Sequence, residues 1–456
     1  MVTCHVAFAL VKMVLLRLKC VLALLFSAFF TSNTVITRSL YIRVEVCCVT
    51  RPHWKGFRHM HETADVVVIG AGVNGASLAY HLAMFGVRKV LVLEKKMTAS
   101  GATGLSSGLV RMHYVNEIEA RLALSSYRYF RNWADMIGGE CGFRETGFIR
   151  TVTPKNTEKL RANVAMLQRI GVETYLITPA ELHELAPNVW AEDILLAAYE
   201  PHSGYADPTA TTLALLDAAR RLGVQLRQQA EVLEFVTRGE RVVGVKTSEG
   251  DIEAGTVVCA AGGWTMALLA KLGLQFPVWN VRHQVAILRR PGDAQADHLT
   301  YIDGVLDVYY RPDSPGLTLV GGGAMEPGID PDHFNQNADD SFVEEIAEKV
   351  SRRMPVLENA TYVRGWSGVF AVSADLHALL GPVPGYENLY ALFGCNGTGF
   401  KTAPAVGKAL AEQITGVSEP EIPITSLRPA RYFEQATILD TYGYSDRPQE
   451  HTEPPQ

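Results

Sequence analysis

A mixed α/β fold, α+β overall, follows from three observations. An apolar strand, a glycine-rich turn and a helix succeed one another near residue 64. Similar strand-to-helix signals return near 256–270 and 388–415, and stretches of different character lie between them. The expected architecture is a nucleotide-type domain assembled from separated segments, with a second, β-rich domain inserted.

The elements justify this in order. Residues 64–69 (Ala-Asp-Val-Val-Val-Ile) are apolar and β-branched, which suits a parallel strand buried on both faces. Ala76 to Phe85 reads as a helix, with Leu78, Leu82 and Phe85 on one face and Gly86 as its stop. Residues 89–94 form a second buried strand, completing a right-handed βαβ unit. Helices are expected around 117–137 and 155–186. Another starts at Asp207-Pro208, with aspartate as cap and proline in the first turn. Strands follow at 224–226 and 231–236, then a hairpin of 242–247 with 251–253, then a buried strand at 256–261. Residues 276–325 alternate like strands, 340–353 form an amphipathic helix, and 388–393 and 402–415 make a last strand and helix. The polar tail 445–456 reads as disordered.

Composition narrows the functional classes. Of 456 residues, 48% are apolar and 20% charged, the balance of a chain with a large buried core. Lys and Arg number 42 against 48 Asp and Glu, a net charge of −6, which argues against nucleic acid as a partner. No Cys-x-x-Cys pair occurs, and no metal site is expected.

Residues 1–60 differ from the rest. They carry no acid before Glu45, and Cys20–Phe30 is an almost wholly apolar run of eleven residues, short for a membrane span. Three readings stand: a dispensable extension with the working protein starting near Met60 in the cytoplasm, an export signal or membrane anchor, or a mitochondrial-type address.

Gly70-Ala-Gly72-Val73-Asn74-Gly75 matches the dinucleotide fingerprint in its proper setting, after a strand and opening a helix. Gly70 permits the tight turn, Gly72 lets a pyrophosphate approach the backbone, and Gly75 lets helix and strand pack closely. The helix N-terminus, at Val73 and Asn74, offers free N–H groups to phosphate. Glu94 ends the second strand 19 residues beyond Gly75, where its carboxylate can accept both ribose hydroxyls and repel a 2′-phosphate. Lys95 borders it. The small-residue segment Thr98–Arg111 either lies against a bulky ligand or is a flexible linker.

With these motifs, Val257-Val-Cys-Ala-Ala-Gly-Gly-Trp264 and Gly394-Cys-Asn-Gly-Thr-Gly-Phe-Lys401, residues 64–420 resemble the FAD-dependent amino-acid and amine oxidoreductases. That family is typified by D-amino-acid oxidase, glycine oxidase, sarcosine oxidase and dimethylglycine dehydrogenase. The resemblance implies a Rossmann-like FAD-binding domain built from 61–115, 205–275 and 360–420. An antiparallel-sheet substrate domain would comprise 116–204 and 276–359, and residues 421–456 would form a C-terminal extension. Glu94 would hold the adenosine ribose, Ser100 and Gly101 would lie near the pyrophosphate with Ser106 and Ser107 beyond, and Val232 would meet adenine. Gly262, Gly263 and Trp264 would pass close to the cofactor. Gly397, Thr398, Gly399, Phe400 and Lys401 would border the isoalloxazine. Arg111 and Lys401 would take the substrate carboxylate, and Tyr310 matches a pocket tyrosine, with aromatic packing as its equal alternative.

Departures from the family matter as much. Gly368 stands where some relatives attach flavin through cysteine, and Leu105 where dimethylglycine dehydrogenase uses histidine. Non-covalent FAD is therefore expected. Thr318 and Gly322 replace a lysine and a histidine of sarcosine oxidase, which leaves the acceptor open between O2 and another oxidant. His113 and Arg282-His283-Gln284 are read first as structural. The expected activity is oxidation of a small carboxylated amine or amino acid. The alternative is an FAD-binding assembly factor, or a flavin subunit of a larger amine dehydrogenase within a hetero-oligomer.

Overall fold

The computed structural model describes residues 62–292, 297–440 and 443–444. The expectations for residues 1–60 and 445–456 lie outside these.

The strand Glu62–Ile69 sits at the middle of an eight-stranded sheet, between Gly250–Cys259 and Val90–Glu94, parallel to both. Its side chains alternate between two cores. Val66 and Val68 face the helices Val73–Met84, Pro208–Arg221 and Gly399–Thr415, while Val67 and Ile69 face the other side with Leu268, Leu269 and Phe276. Covering both faces is what a continuous apolar run requires. Ile69 pairs with Cys259 and with Leu93, so three strands end level and their following residues share one carboxyl edge. Ligands of open parallel sheets bind at that edge.

The second sheet has nine strands. Val278–Arg289 is its longest interior strand, flanked by Leu317–Gly322 on one side and Thr361–Ser373 on the other. Every pair is antiparallel except Phe148–Thr151 with Thr300–Asp303. The helix Asp340–Arg353 covers one face through Phe342, Ile346 and Val350, packed with Ala286, Leu288, Val308, Tyr310 and Val320. A short three-stranded ribbon, Leu109–Val110 with Gly204–Tyr205 and Arg144–Glu145, leads the chain into Arg111.

Many expected elements recur closely. Asp207 caps Pro208–Arg221 by accepting from the amides of Thr209 and Ala210. Others differ. The segments 251–253 and 256–261 are one strand, Gly250–Cys259. Gly255 marks a close approach there, since a Cβ would stand 2.9 Å from the Asp65 carbonyl oxygen. Thr361–Ser373, inside the segment 360–420 expected for the FAD-binding domain, pairs along its length with the second sheet. The helix Glu117–Arg131, expected with the substrate segment, packs Leu122 and Phe130 into the core beneath the first sheet.

The last described segment is tied down by charge. Asp375 accepts two Arg431 bonds at 2.8 Å and one from the Tyr432 hydroxyl at 2.6 Å. Buried His377 stands 3.2 Å from both Glu119 and Asp440. Burial opposes its charge, but these two carboxylates push its pKa up to about 10.

Candidate cofactor and substrate site

A cavity of about 550 Å³ opens at the carboxyl edge of the first sheet and runs under the bare face of the second. Every residue expected to bind the cofactor lines it except Gly75. Gly75 is packed instead: a Cβ there would lie 2.0 Å from the Gly70 carbonyl oxygen. Gly70 adopts φ +105°, and a Cβ would strike the Ala260 carbonyl oxygen at 2.5 Å, so only glycine fits this turn.

The turn delivers a helix N-terminus with neither a side-chain cap from Gly72 nor an acid in its first turn. Thr103, which the motif reading did not single out, accepts from the Val73 amide at 3.2 Å. Glu94 accepts from the amides of Ala71 (2.9 Å) and Lys96 (2.8 Å), which fixes its carboxylate at the cavity wall. Beside it, Asp332 arrives from the second sheet's side of the chain. It accepts from Lys95 at 2.9 Å, Lys96 at 3.3 Å and the Trp264 indole at 2.8 Å. Both ammonium groups stand over the Trp264 ring, at 5.0 and 5.6 Å. Against the burial that raises it, these bonds hold the Asp332 carboxyl at about 2. Nothing in the sequence pattern marked Asp332.

At the other end Arg111 and Lys401 share the wall. Arg111 donates to the His113 carbonyl and lies 4.6 Å from the Tyr114 ring centre. Lys401, in the first turn of Gly399–Thr415, is 7% exposed, and its Nζ reaches the Gly397 carbonyl at 3.4 Å. Burial first, then the charge of Arg111, pulls the Lys401 ammonium well below the usual lysine range. Neither cation has an ion-pair partner within 4 Å among the described residues. The buried Arg111 Nε and Asn74 Oδ1 have no hydrogen-bond partner among the described residues.

Three expected positions need correction. Tyr310 is 1% exposed and stacks on Tyr301 at 4.9 Å in the core under Asp340–Arg353. Its neighbour Tyr309 lines the cavity instead, because successive strand residues point to opposite faces. Tyr309 lies over Gly321, where a Cβ would stand 2.3 Å from the ring. Thr318 is likewise turned away, accepting from Arg290 at 3.1 Å and lying 2.9 Å from His298. Of the Arg282-His283-Gln284 run, Arg282 and Gln284 do bind Asp339. His283, between them, faces the cavity, and its Nε2 lies 3.0 Å from the Tyr309 hydroxyl. Burial pulls the His283 imidazole down to about 4, so it is neutral. His113 is buried as expected, 3.1 Å from both Tyr444 and Asn163.

These features suit a dinucleotide. The helix start behind the glycine turn carries no side-chain cap from Gly72 and no acid, although Thr103 takes the Val73 amide expected to be free. Glu94 lines the cavity, and among the described residues the orphaned atoms of Asn74 and Arg111 lack partners that a bound group can supply.

Comparison with known proteins agrees with this geometry. The FAD dependent oxidoreductase family model matches residues 65–413. Rat mitochondrial dimethylglycine dehydrogenase is 29% identical over 419 residues, 87% of this chain and 48% of that one. The β subunit of sarcosine oxidase from Arthrobacter is 25% identical over 387 residues, 83% of this chain and 93% of that one. The crystal structure of L-proline dehydrogenase from P. horikoshii superposes with a TM-score of 0.77 and 27% identity, covering 83% of this chain and all of that one. The chain belongs to the FAD-dependent oxidoreductase family, whose members include amine and amino-acid oxidases and dehydrogenases. It spans about half the length of the dimethylglycine dehydrogenases it matches. Among the described residues no helix is long and apolar enough to cross a membrane.

Proposed function

We propose that this protein oxidises a small amine or amino acid carrying a carboxylate, with FAD held non-covalently. The observation that carries the reading is the pairing of two cations without ion-pair partners, Arg111 and Lys401, with the dinucleotide turn on one cavity wall. When bound, FAD would supply the two-electron acceptor that oxidation of the substrate Cα–H requires.

The chain's residues do the rest. Arg111 and Lys401 bind the carboxylate, the guanidinium in a planar fork and the ammonium as a point charge. That anchor fixes where the neighbouring Cα–H points, and positioning supplies much of the rate. Neutral His283 and the Tyr309 hydroxyl form a polar pair on an otherwise apolar wall with Val285 and Ile302. There they orient the substrate nitrogen, which must be an uncharged amine to release hydride. The imine so formed is hydrolysed by water. Leu105 and Gly368 face each other, a Cβ on Gly368 lying 2.9 Å from that of Leu105, and neither side chain can form a bond to flavin. O2 or another oxidant would be the final electron acceptor. The named subunit of sarcosine oxidase among its relatives makes a larger assembly a fitting setting.

Anaerobic reduction of the FAD-loaded protein by a panel of N-methyl and D-amino acids tests this. At least one substrate should bleach the flavin band, and Arg111→Ala and Lys401→Met should each lower its second-order rate by about 100-fold. Equal reduction of wild type and both variants by every carboxylated amine would refute the anchor. Oxygen uptake against dye reduction identifies the acceptor. N-terminal sequencing of native protein shows whether residues 1–59 are retained.

A further inference from the structure

We propose that Glu200 is the positioning residue for Arg111. This rests on the reading that Arg111 receives the substrate carboxylate. Glu200 ends the strand Ala197–Glu200 and is wholly buried. Its Oε2 accepts from the Met112 amide at 3.0 Å and the Ser203 hydroxyl at 2.5 Å. Met112 lies between Arg111 and His113, and Arg111 donates to the His113 carbonyl. One carboxylate therefore pins the backbone from which the guanidinium enters the cavity. Its other oxygen, Oε1, has no hydrogen-bond partner among the described residues and stands 3.8 Å from His113 Nδ1, which has none there either. Among the described residues no lysine or arginine lies within 4 Å of this carboxylate. A buried acid without a cation is costly, and an apolar side chain would fill the space more cheaply.

The groups facing Glu200 define its charge. Ser203 lies on its own loop, Arg111 and His113 on the pinned segment, and Tyr444 bonds His113 from the far side. His113 is held neutral by burial and by Arg150 and Arg111. Burial pushes Glu200 up to about 7, despite the bonds from Ser203 and Met112 and the charge of Arg111. Below that pH the neutral acid holds the loop and leaves the guanidinium charge to the ligand. Above it the carboxylate competes for the same charge.

The test uses FAD-loaded protein and two carboxylates with no oxidisable amine, benzoate and trimethylglycine, read by perturbation of the visible flavin band. Wild-type affinity should fall about tenfold from pH 6 to pH 8.5. Lys401 titration contributes to that slope, so the readout is the difference from Glu200→Gln. That variant should keep the acid-side affinity and show a flatter profile. Glu200→Ala should bind about tenfold more weakly throughout. If Glu200→Gln reproduces the wild-type profile while Arg111→Ala loses binding, the positioning role is wrong and the anchor stands. If Arg111→Ala binds as wild type does, the anchor fails and this proposal with it. Should Glu200→Ala not fold, the Glu200→Gln profile decides.

Discussion

At the residue scale, Tyr309 and Tyr310 show how one position changes a role. The resemblance pointed to Tyr310 as a pocket tyrosine, whereas its neighbour on the strand Val308–Pro312, Tyr309, lines the cavity. A slip of one residue inverts every side chain on a strand. Tyr310→Phe is therefore expected to leave flavin reduction within about twofold, while Tyr309→Phe slows it by about tenfold or more. Gly321→Ala should imitate the Tyr309 defect, because its methyl group would occupy the space of that ring. Stopped-flow reduction by the best substrate separates the three, and equal rates for both tyrosine variants would reverse the assignment. The glycine turn was legible where the tyrosine was not. Gly70, Gly72 and Gly75 answer to constraints within a few residues, whereas Tyr309 is selected by the tilt of a sheet assembled from segments 150 residues apart.

Among elements, the informative case is the stretch carrying Asp332. It crosses from the second sheet to the carboxyl edge of the first and meets Lys95, Lys96 and Trp264. These partners are partly exposed, so salt screens them. Asp332→Asn is expected to speed FAD release several-fold in dilute buffer, with the difference from wild type shrinking near 1 M salt. The fluorescence of released FAD measures it, and an unchanged rate would leave this contact without a part in retention. Sequence pattern missed the contact because loop charges have no period. The same limit hid the union of 251–253 with 256–261 across Gly255, where two neighbouring strands approach closely.

For the whole molecule, the alternation of strand–turn–helix units with β-rich stretches was readable, because buried parallel strands and their glycine turns leave local marks. Sheet membership was not. Thr361–Ser373 joins the second sheet and Glu117–Arg131 the first core, outcomes of packing that no local pattern encodes. One global property follows from the Glu119–His377–Asp440 cluster. His377 has a folded pKa of about 10, above its ordinary value near 6.5, so its stabilising contribution is complete below about 6.5 and lost as pH rises through 10. The melting temperature of wild type should fall more steeply than that of His377→Gln between pH 7 and pH 10. Parallel curves would show that the imidazole carries no charge in the fold.

The glycine turn at Gly70 and the loop at Gly397 that completes the same cavity are 327 residues apart. A ribosome releases the first of them long before it has made the second. During synthesis the half-built cradle cannot close around its cofactor, and in the first sheet the end of Gly250–Cys259 waits for the partner strand Leu389–Phe393. Capture of FAD therefore waits until the Gly397 loop has been made, and chains that lack it are the ones quality control will meet.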